Sequence, residues 1–274
     1  MLRVAITFAL CAVACTFSPS GSQSGDAGGS GADGRHNDAH GLDASDLGTC
    51  SDGLKNGNEL EVDCGGRCSA CTKLFDVDSN ALAIFELNGD ASDSSGNGRD
   101  ATLLGGSFVT TSWGHGLSVP GDAAMPQGLD WSDFADLLVH PYTIEMVVRP
   151  ADVRCWKKLF GPDDNSDVGW HYCTKFETYP NNTVGPDLSD GARNYFALVS
   201  TAADKIDVYI DGARVGNLDA SFTAPPSQAI FFRDDTTTGR LEQLSGVIDA
   251  VRISKVARSA AEITAVQLRL AAQP

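Results

Sequence analysis

Gly246-Val-Ile-Asp-Ala-Val-Arg-Ile253, close to the end of a 274-residue chain, decides the fold. Aliphatic and β-branched residues dominate it and Ser245-Gly246 punctuates its start, so it reads as a β-strand. In a regular strand Val247, Asp249, Val251 and Ile253 point to one face, and Ile248, Ala250 and Arg252 to the other. Both faces carry apolar side chains, which predicts a central strand rather than an edge. Asp249 is then the odd member of an aliphatic face. A carboxylate at that depth is costly unless a cation or several donors meet it. Whatever meets Asp249 is expected to tie the two ends of the domain together.

The segments upstream of this strand are short and separated by turns. Strands are predicted at 81–87, 101–104, 107–111, 116–119, 142–149, 158–160, 169–174, 195–200, 205–210, 213–216 and 229–233. Between the first two lies Asn88-Gly-Asp-Ala-Ser-Asp-Ser-Ser-Gly-Asn-Gly-Arg-Asp100, too polar and glycine-rich for anything but a loop. In 205–210, Ile206, Val208 and Ile210 alternate with Lys205, Asp207 and Tyr209, and Asp211-Gly212 turns the chain into a hairpin. Only after the last strand does a helix appear. Ser259-Ala-Ala-Glu262 is a capping box that opens a helix running to about Leu270. A dozen short strands and one short C-terminal helix predict an all-β protein, a two-sheet antiparallel sandwich of jelly-roll type. Length leaves room for one such domain of roughly 200 residues plus appendages.

The net charge of −16 excludes nucleic-acid phosphate as a partner and adhesion to anionic lipid through a basic patch. The eight cysteines sort by position into Cys11 and Cys15, a cluster Cys50, Cys64, Cys68 and Cys71, and a pair Cys155 and Cys173. Even numbers in the two later groups read as disulfides in an oxidising compartment. Residues 1–14 hold one basic residue, Arg3, and then an apolar run of signal-peptide length, too short to span a bilayer. The run ends in Ala12-Val-Ala-Cys15, which resembles the lipobox of bacterial lipoproteins, with Ala12 where Leu is usual. That resemblance implies a lipidated Cys15 and an exported protein held on the cell envelope by a lipid anchor. The alternative is a secreted protein cleaved nearby. Residues 15–49 are Gly, Ser, Asp and Ala with little to bury, a flexible tether of roughly 30–35 Å by random-coil scaling. His36 and His40 are expected to be solvated within it.

Cys50 to Cys71 form a separate module within residues 50–72. It resembles the C-x-D-G-x-x-N-G-x-E-x-x-x-D-C-G-G-x-C-x-x-C repeat of exported myxobacterial proteins, and Asp52, Gly53, Asn56, Gly57, Glu59, Asp63, Gly65 and Gly66 all match. Export makes two disulfides the expected state rather than a zinc site, with three connectivities open. Its Asp-Gly and Asn-Gly pairs read as turns, with calcium as the other reading.

Four stretches together resemble the laminin G-like, concanavalin A-like jelly rolls over about residues 74–270. They are Asp93-Ser-Ser-Gly-Asn-Gly98, Val208-Tyr-Ile-Asp-Gly212, Phe232-Arg-Asp-Asp235, and the last strand with Ser259-Ala-Ala-Glu-Ile263. The family supplies binding modules for glycans and extracellular proteins, many with a bound calcium. The resemblance implies a structural Ca²⁺ held by Asp93, Ser95, Asn97 and Asp249, which would answer the question of what meets Asp249. The other reading pairs Asp249 with Arg99, Arg233 or Arg252. Trp113, Trp131, Trp156, Trp170 and Tyr172 are candidates for a sugar-stacking platform, with at least half expected in the core. A disulfide joining Cys155 and Cys173 would contribute about 3 kcal/mol in the chain-entropy model.

Enzymatic motifs are absent from the sequence. The paired carboxylates of a glucanase strand are missing, Glu145 stands alone, and His115, His140 and His171 have no nucleophile motif beside them. The expectation is a non-catalytic recognition or adhesion module. A structural envelope protein without a small ligand is the second reading, and a glycan-acting hydrolase the third.

Overall fold

A computed structural model describes residues 73–154, 156–179, 182–202, 205–219, 226–236 and 238–272. The tether, the module at 50–72 and Cys15 lie outside the described residues. In chain order the strands are β1 (Ala81–Phe85), β2 (Thr102–Gly105), β3 (Ser107–Thr111), β4 (Gly114–Pro120), β5 (Gly128–Asp130), β6 (Tyr142–Pro150), β7 (Lys157–Gly161) and β8 (Gly169–Cys173). They continue as β9 (Lys175–Tyr179), β10 (Asn182–Val184), β11 (Asn194–Ala202), β12 (Lys205–Ile210), β13 (Ala213–Asp219), β14 (Ile230–Phe231) and β15 (Ser245–Ser254). One helix, α1 (Ala260–Ala272), follows, capped as the sequence predicts. The Glu262 carboxylate accepts from the Ser259 amide at 2.8 Å, and the Ser259 hydroxyl accepts from the Glu262 amide at 3.3 Å.

The strands form two antiparallel sheets. One runs β13-β12-β11-β6-β15-β4-β3, with β1 also on β15, and the other runs β10-β9-β8-β7-β14-β5-β2. This is the expected jelly-roll sandwich. β15 is central: β6 flanks its length on one side, while β4 covers its first half and β1 its second half on the other. Gly246 permits that contact, because its φ is 149° and a Cβ there would stand 2.2 Å from the Arg149 carbonyl.

The two apolar faces of β15 serve two different cores. Ile248, Val251 and Ile253 join Phe85, Ile144, Met146, Phe160, Trp170 and Phe196 between the sheets. Ala250 faces the other way, where Leu74, Phe75, Val147 and Tyr195 pack with Ile263, Val266 and Leu270 of α1. A regular alternation puts Asp249 beside Val251, and here the structure corrects the sequence. The register slips between Ile248 and Ala250, so Asp249 is the extra residue of a β-bulge and leaves the sandwich face.

Three strands escape the sequence reading: β5, β9 and β10. Lys175-Phe-Glu-Thr-Tyr179 and Asn182-Thr-Val184 carry polar residues on their outward positions. Gly128-Leu-Asp130 has only one apolar residue, so propensity had little to register.

Candidate functional site

The outer face of the second sheet carries an unusual set of side chains. Across β7, β8 and β9, Trp170, Tyr172 and Phe176 point into the core. Alternation therefore turns Lys158, His171, Glu177 and Tyr179 outward, and Trp156, just before β7, sets its ring against His171 and Tyr179. Register brings these together, since Lys158 pairs with His171, His171 with Glu177, and Gly169 with Tyr179. The Trp156 ring meets His171 edge-on at 6.4 Å and Tyr179 edge-on at 6.0 Å. Trp156 and Tyr179 are half-buried, whereas His171 has no exposed surface and Glu177 has 4%. Trp156 also holds a φ of 72°, a left-handed conformation that costs a bulky residue roughly 1–3 kcal/mol.

Lys158 anchors the polar half of the site. Its ammonium lies 2.6 Å from Asp235, 3.0 Å from the Ser166 carbonyl and 3.8 Å from Asp234. Asp234 organises its own loop, accepting from the Asp235 amide at 2.8 Å, the Thr238 hydroxyl at 2.7 Å and the Glu242 amide at 3.0 Å. Carboxylate oxygens of Asp167, Asp234 and Asp235 lie within 4.8 Å of one another. Burial, and then the neighbouring Asp235 carboxyl, raises Asp167. Burial raises Asp234 although the Thr238 hydroxyl and the Glu242 amide oppose it, and burial followed by the neighbouring carboxylates brings Glu242 to about 7. Burial alone raises Glu177. Burial, then the adjacent Lys158 charge, lowers His171 to about 3, so its imidazole is neutral. Beyond a contact with the Gly169 backbone, the ring nitrogens of His171 meet no partner among the described residues. The three clustered aspartates suit a cation in charge but not in space, because Lys158 already brings an ammonium against them.

The residues expected to hold calcium are arranged otherwise. Asp93, Ser95 and Asn97 do come together. The Asp93 carboxylate accepts from the Ile84 amide at 3.0 Å, the Ser95 amide at 2.8 Å, the Ser95 hydroxyl at 2.8 Å and the Arg99 amide at 3.0 Å. Those donors hold Asp93 below its usual range, although burial opposes them. The Asn97 amide nitrogen donates to the Ala81 and Leu82 carbonyls at 2.9 and 3.2 Å, and the Arg99 guanidinium reaches the Leu82 carbonyl at 3.1 Å. Asp249, with no exposed side-chain surface, faces Arg149 at 3.2 Å. The carbonyls a calcium would seek are thus occupied by N–H donors, and Asp249 already has its cation. These four residues do not fit a shared Ca²⁺ site as they stand, and the partner of Asp249 is Arg149, which is none of the arginines the sequence nominated. Beside the loop lies a cleft of about 400 Å³ lined in part by Asp78, Ser95, Asn97, Arg99 and Lys255.

Of the platform candidates, Trp113, Trp131, Trp170 and Tyr172 are buried to 1% exposure or less, and Trp156 alone reaches the surface. Cys173 is disulfide-bonded. Cys155, Cys50, Cys64, Cys68 and Cys71 lie outside the described residues. The sequence reading missed Lys158, Asp167, Glu177 and Glu242 as site residues. The one available signal was Phe232-Arg-Asp-Asp235, whose two adjacent acids required a buried cation.

Comparison with known proteins supports the same architecture. A family model described as the concanavalin A-like lectin/glucanases superfamily matches residues 126–264, just over half of the chain. No curated protein matches the chain. Among solved structures, domain 4 of an extracellular GH43 arabinanase from Geobacillus stearothermophilus, in complex with arabinotriose, superposes with a TM-score of 0.53 at 19% identity, covering 69% of this chain and 98% of that one. The sialidase of Trypanosoma rangeli, bound to the inhibitor DANA, gives 0.51 at 14% identity, covering 70% of this chain and 33% of that one. The binding domain of Paraclostridial Mosquitocidal Protein 1 gives 0.52 at 13%, covering 70% and 52%. This chain therefore spans nearly all of the arabinanase domain, a third of the sialidase and about half of the mosquitocidal binding domain.

Proposed function

We propose that this chain, which belongs to the concanavalin A-like lectin/glucanases superfamily, is a carbohydrate-binding protein whose jelly roll recognises a glycan on the outer face of its second sheet. The carrying observation is Trp156. A half-buried indole in a strained backbone, edge-on to Tyr179 and beside polar groups, matches what a sugar ring requires: an aromatic face with hydrogen-bonding neighbours. The arabinanase domain of the same architecture was solved with arabinotriose, which supports a saccharide as ligand. The N-terminal run to Cys15 extends the reading to an exported lipoprotein that displays the module from the cell envelope, on a tether of residues 15–49 through the small module at 50–72. An extracellular protein ligand is the alternative partner.

Glycan-array binding of the full chain and of Trp156→Ala tests the site. The variant should lose about ten- to hundredfold in affinity, as truncation of an aromatic anchor does. An array without a single binder for the wild type sinks the proposal. A second reading, a glycan hydrolase, draws on Glu242 near 7, where a carboxyl retains a proton for general-acid work. Turnover of a β-glucan that Glu242→Gln abolishes would favour it.

A further inference from the structure

The cleft of about 400 Å³ beside the Asp93 loop runs against the charge of the molecule. The chain carries a net charge of −16, yet two cations without a carboxylate partner, Arg99 and Lys255, line this one cleft. The basic residues around them are committed: Arg258 pairs with Asp78, Arg269 with Asp76, and Arg252 with Glu145. Neither Arg99 nor Lys255 forms an ion pair among the described residues. Asp78 is the one acid on the lining, and Arg258 already holds it with bonds of 2.7 and 3.0 Å. An anion entering here meets two free positive charges and one offset negative one.

Arg99 is also held in place before any ligand arrives. Its amide donates to Asp93 at 3.0 Å, its carbonyl accepts from the Trp131 indole at 3.0 Å, and its guanidinium donates to the Leu82 carbonyl at 3.1 Å. A guanidinium has five N–H donors in a fixed fork, and no second protein acceptor meets this one among the described residues. A side chain fixed in this way loses little conformational freedom on meeting a ligand. The Lys255 amide donates to the Asn80 carbonyl at 2.9 Å, which sets the exposed lysine over the turn before β1. Ser79, Ser95 and Asn97 add hydroxyls and an amide to the lining.

We propose that this cleft is a second binding site, for a saccharide that bears a carboxylate. The carboxylate lies against the Arg99 guanidinium and the Lys255 ammonium, and sugar hydroxyls meet Ser79, Ser95 and Asn97. A planar carboxylate matches the guanidinium fork. Its single charge suits two cations with Asp78 close by better than a doubly charged phosphate does. The volume falls in the range of pockets that take small organic molecules, more than a bare ion fills. The inference goes beyond the reading above, because β1 belongs to the first sheet and the strands beside Trp156 to the second.

Titration calorimetry of the full chain near neutral pH tests it, with dimers of galacturonic and glucuronic acid, the methyl ester of each, and inorganic phosphate. At least one acid dimer should bind, about tenfold tighter than its uncharged ester. Added salt should shrink that preference. Arg99→Gln and Lys255→Glu should each remove it, and Arg99→Lys should keep part of it. Arg99 also serves the Leu82 carbonyl, so the exposed Lys255 keeps the test valid if Arg99→Gln fails to fold. Equal affinity for acid and ester, or no binding of either acid, overturns the inference and leaves the Trp156 site standing. Phosphate binding as tightly as the dimers overturns the saccharide class. Loss of acid-dimer binding in Trp156→Ala rather than in Lys255→Glu would put the ligand on the second sheet and overturn the site.

Discussion

Arg258 grips Asp78 with two hydrogen bonds, of 2.7 and 3.0 Å, across 180 residues of chain. The same guanidinium lies 3.5 Å from Glu145, which Arg252 clamps with two bonds of 2.6 and 2.8 Å. The Tyr195 hydroxyl also donates to Glu145, and Arg252 stacks over the Phe75 ring at 4.7 Å. A buried ionic network under α1 therefore joins the first described residues, the central strands and the C-terminal helix. The sequence reading gave that role to Asp249; the structure gives it to Glu145 and two arginines.

Arg252→Ala should destabilise the domain by about 3–5 kcal/mol, because Glu145 then remains in the interior with fewer partners. Chemical denaturation measures this. The double variant Arg252→Met, Glu145→Met should recover much of the loss, since an apolar pair leaves no orphaned charge. A double variant as unstable as the single one would contradict this account.

Acid should loosen the same clasp from its outer end. The Arg258 hydrogen bonds hold Asp78 at about 2, below its ordinary 3.8. A depressed carboxylate contributes stability that is present above 3.8 and is lost as pH falls through about 2. The side chain is 37% exposed, so the contribution is small after solvent screening. Melting temperature between pH 5 and about 2 should fall less steeply in Asp78→Asn than in the wild type.

Glu86 should act in the opposite direction. Burial raises it to about 7 although the Leu74 amide donates to it at 3.0 Å. A raised carboxylate contributes stability that is complete below its unfolded value of 4.5 and is lost as pH rises through about 7. The loss is about 3 kcal/mol at most. Glu86→Gln keeps an acceptor for Leu74 and should flatten the pH dependence of melting across that window.

The fold was legible because its signals are local. Alternation in 205–210, the Asp211-Gly212 turn and the Ser259–Glu262 box each report on neighbours in sequence, and each element stands where they put it. The central position of β15 was legible too, from apolar residues on both faces. The site was not legible, because it is made by register: Lys158, His171 and Glu177 become neighbours only when β7, β8 and β9 align. The bulge at Asp249 was invisible for a related reason. A single-residue slip against β6 leaves no mark in the composition of the strand, yet it moves every later side chain to the opposite face.

Lys158 is expected to be the most sensitive residue of the polar site. Lys158→Met leaves Asp234 and Asp235 buried without their ammonium and should cost about 3–5 kcal/mol. Because the uncompensated acids then take up protons, the variant should regain stability as pH falls, opposite in trend to Asp78. Equal losses at acid and neutral pH would show that the charge cluster is not the cause.

Asp249 provides the last test, and it separates a metal from an arginine. Its carboxylate is fully buried and lies 3.2 Å from the Arg149 guanidinium, while the Ala81 and Leu82 carbonyls beside the Asp93 loop are already met by Asn97 and Arg99. Chelation should therefore leave the melting temperature of the 73–272 domain unchanged within the full chain. Arg149→Met should lower stability by about 3–5 kcal/mol by orphaning the buried charge. Asp249→Asn, which removes that charge, should cost less and should rescue most of the loss when combined with Arg149→Met. A melting temperature that falls with EDTA and returns with calcium, in the wild type but not in Asp249→Asn, would show instead that the bulge carboxylate turns from Arg149 to an ion. In that case the Asp93 carboxylate and Ser95 hydroxyl must exchange their N–H donors for it, and Asn97 must turn its amide oxygen towards it.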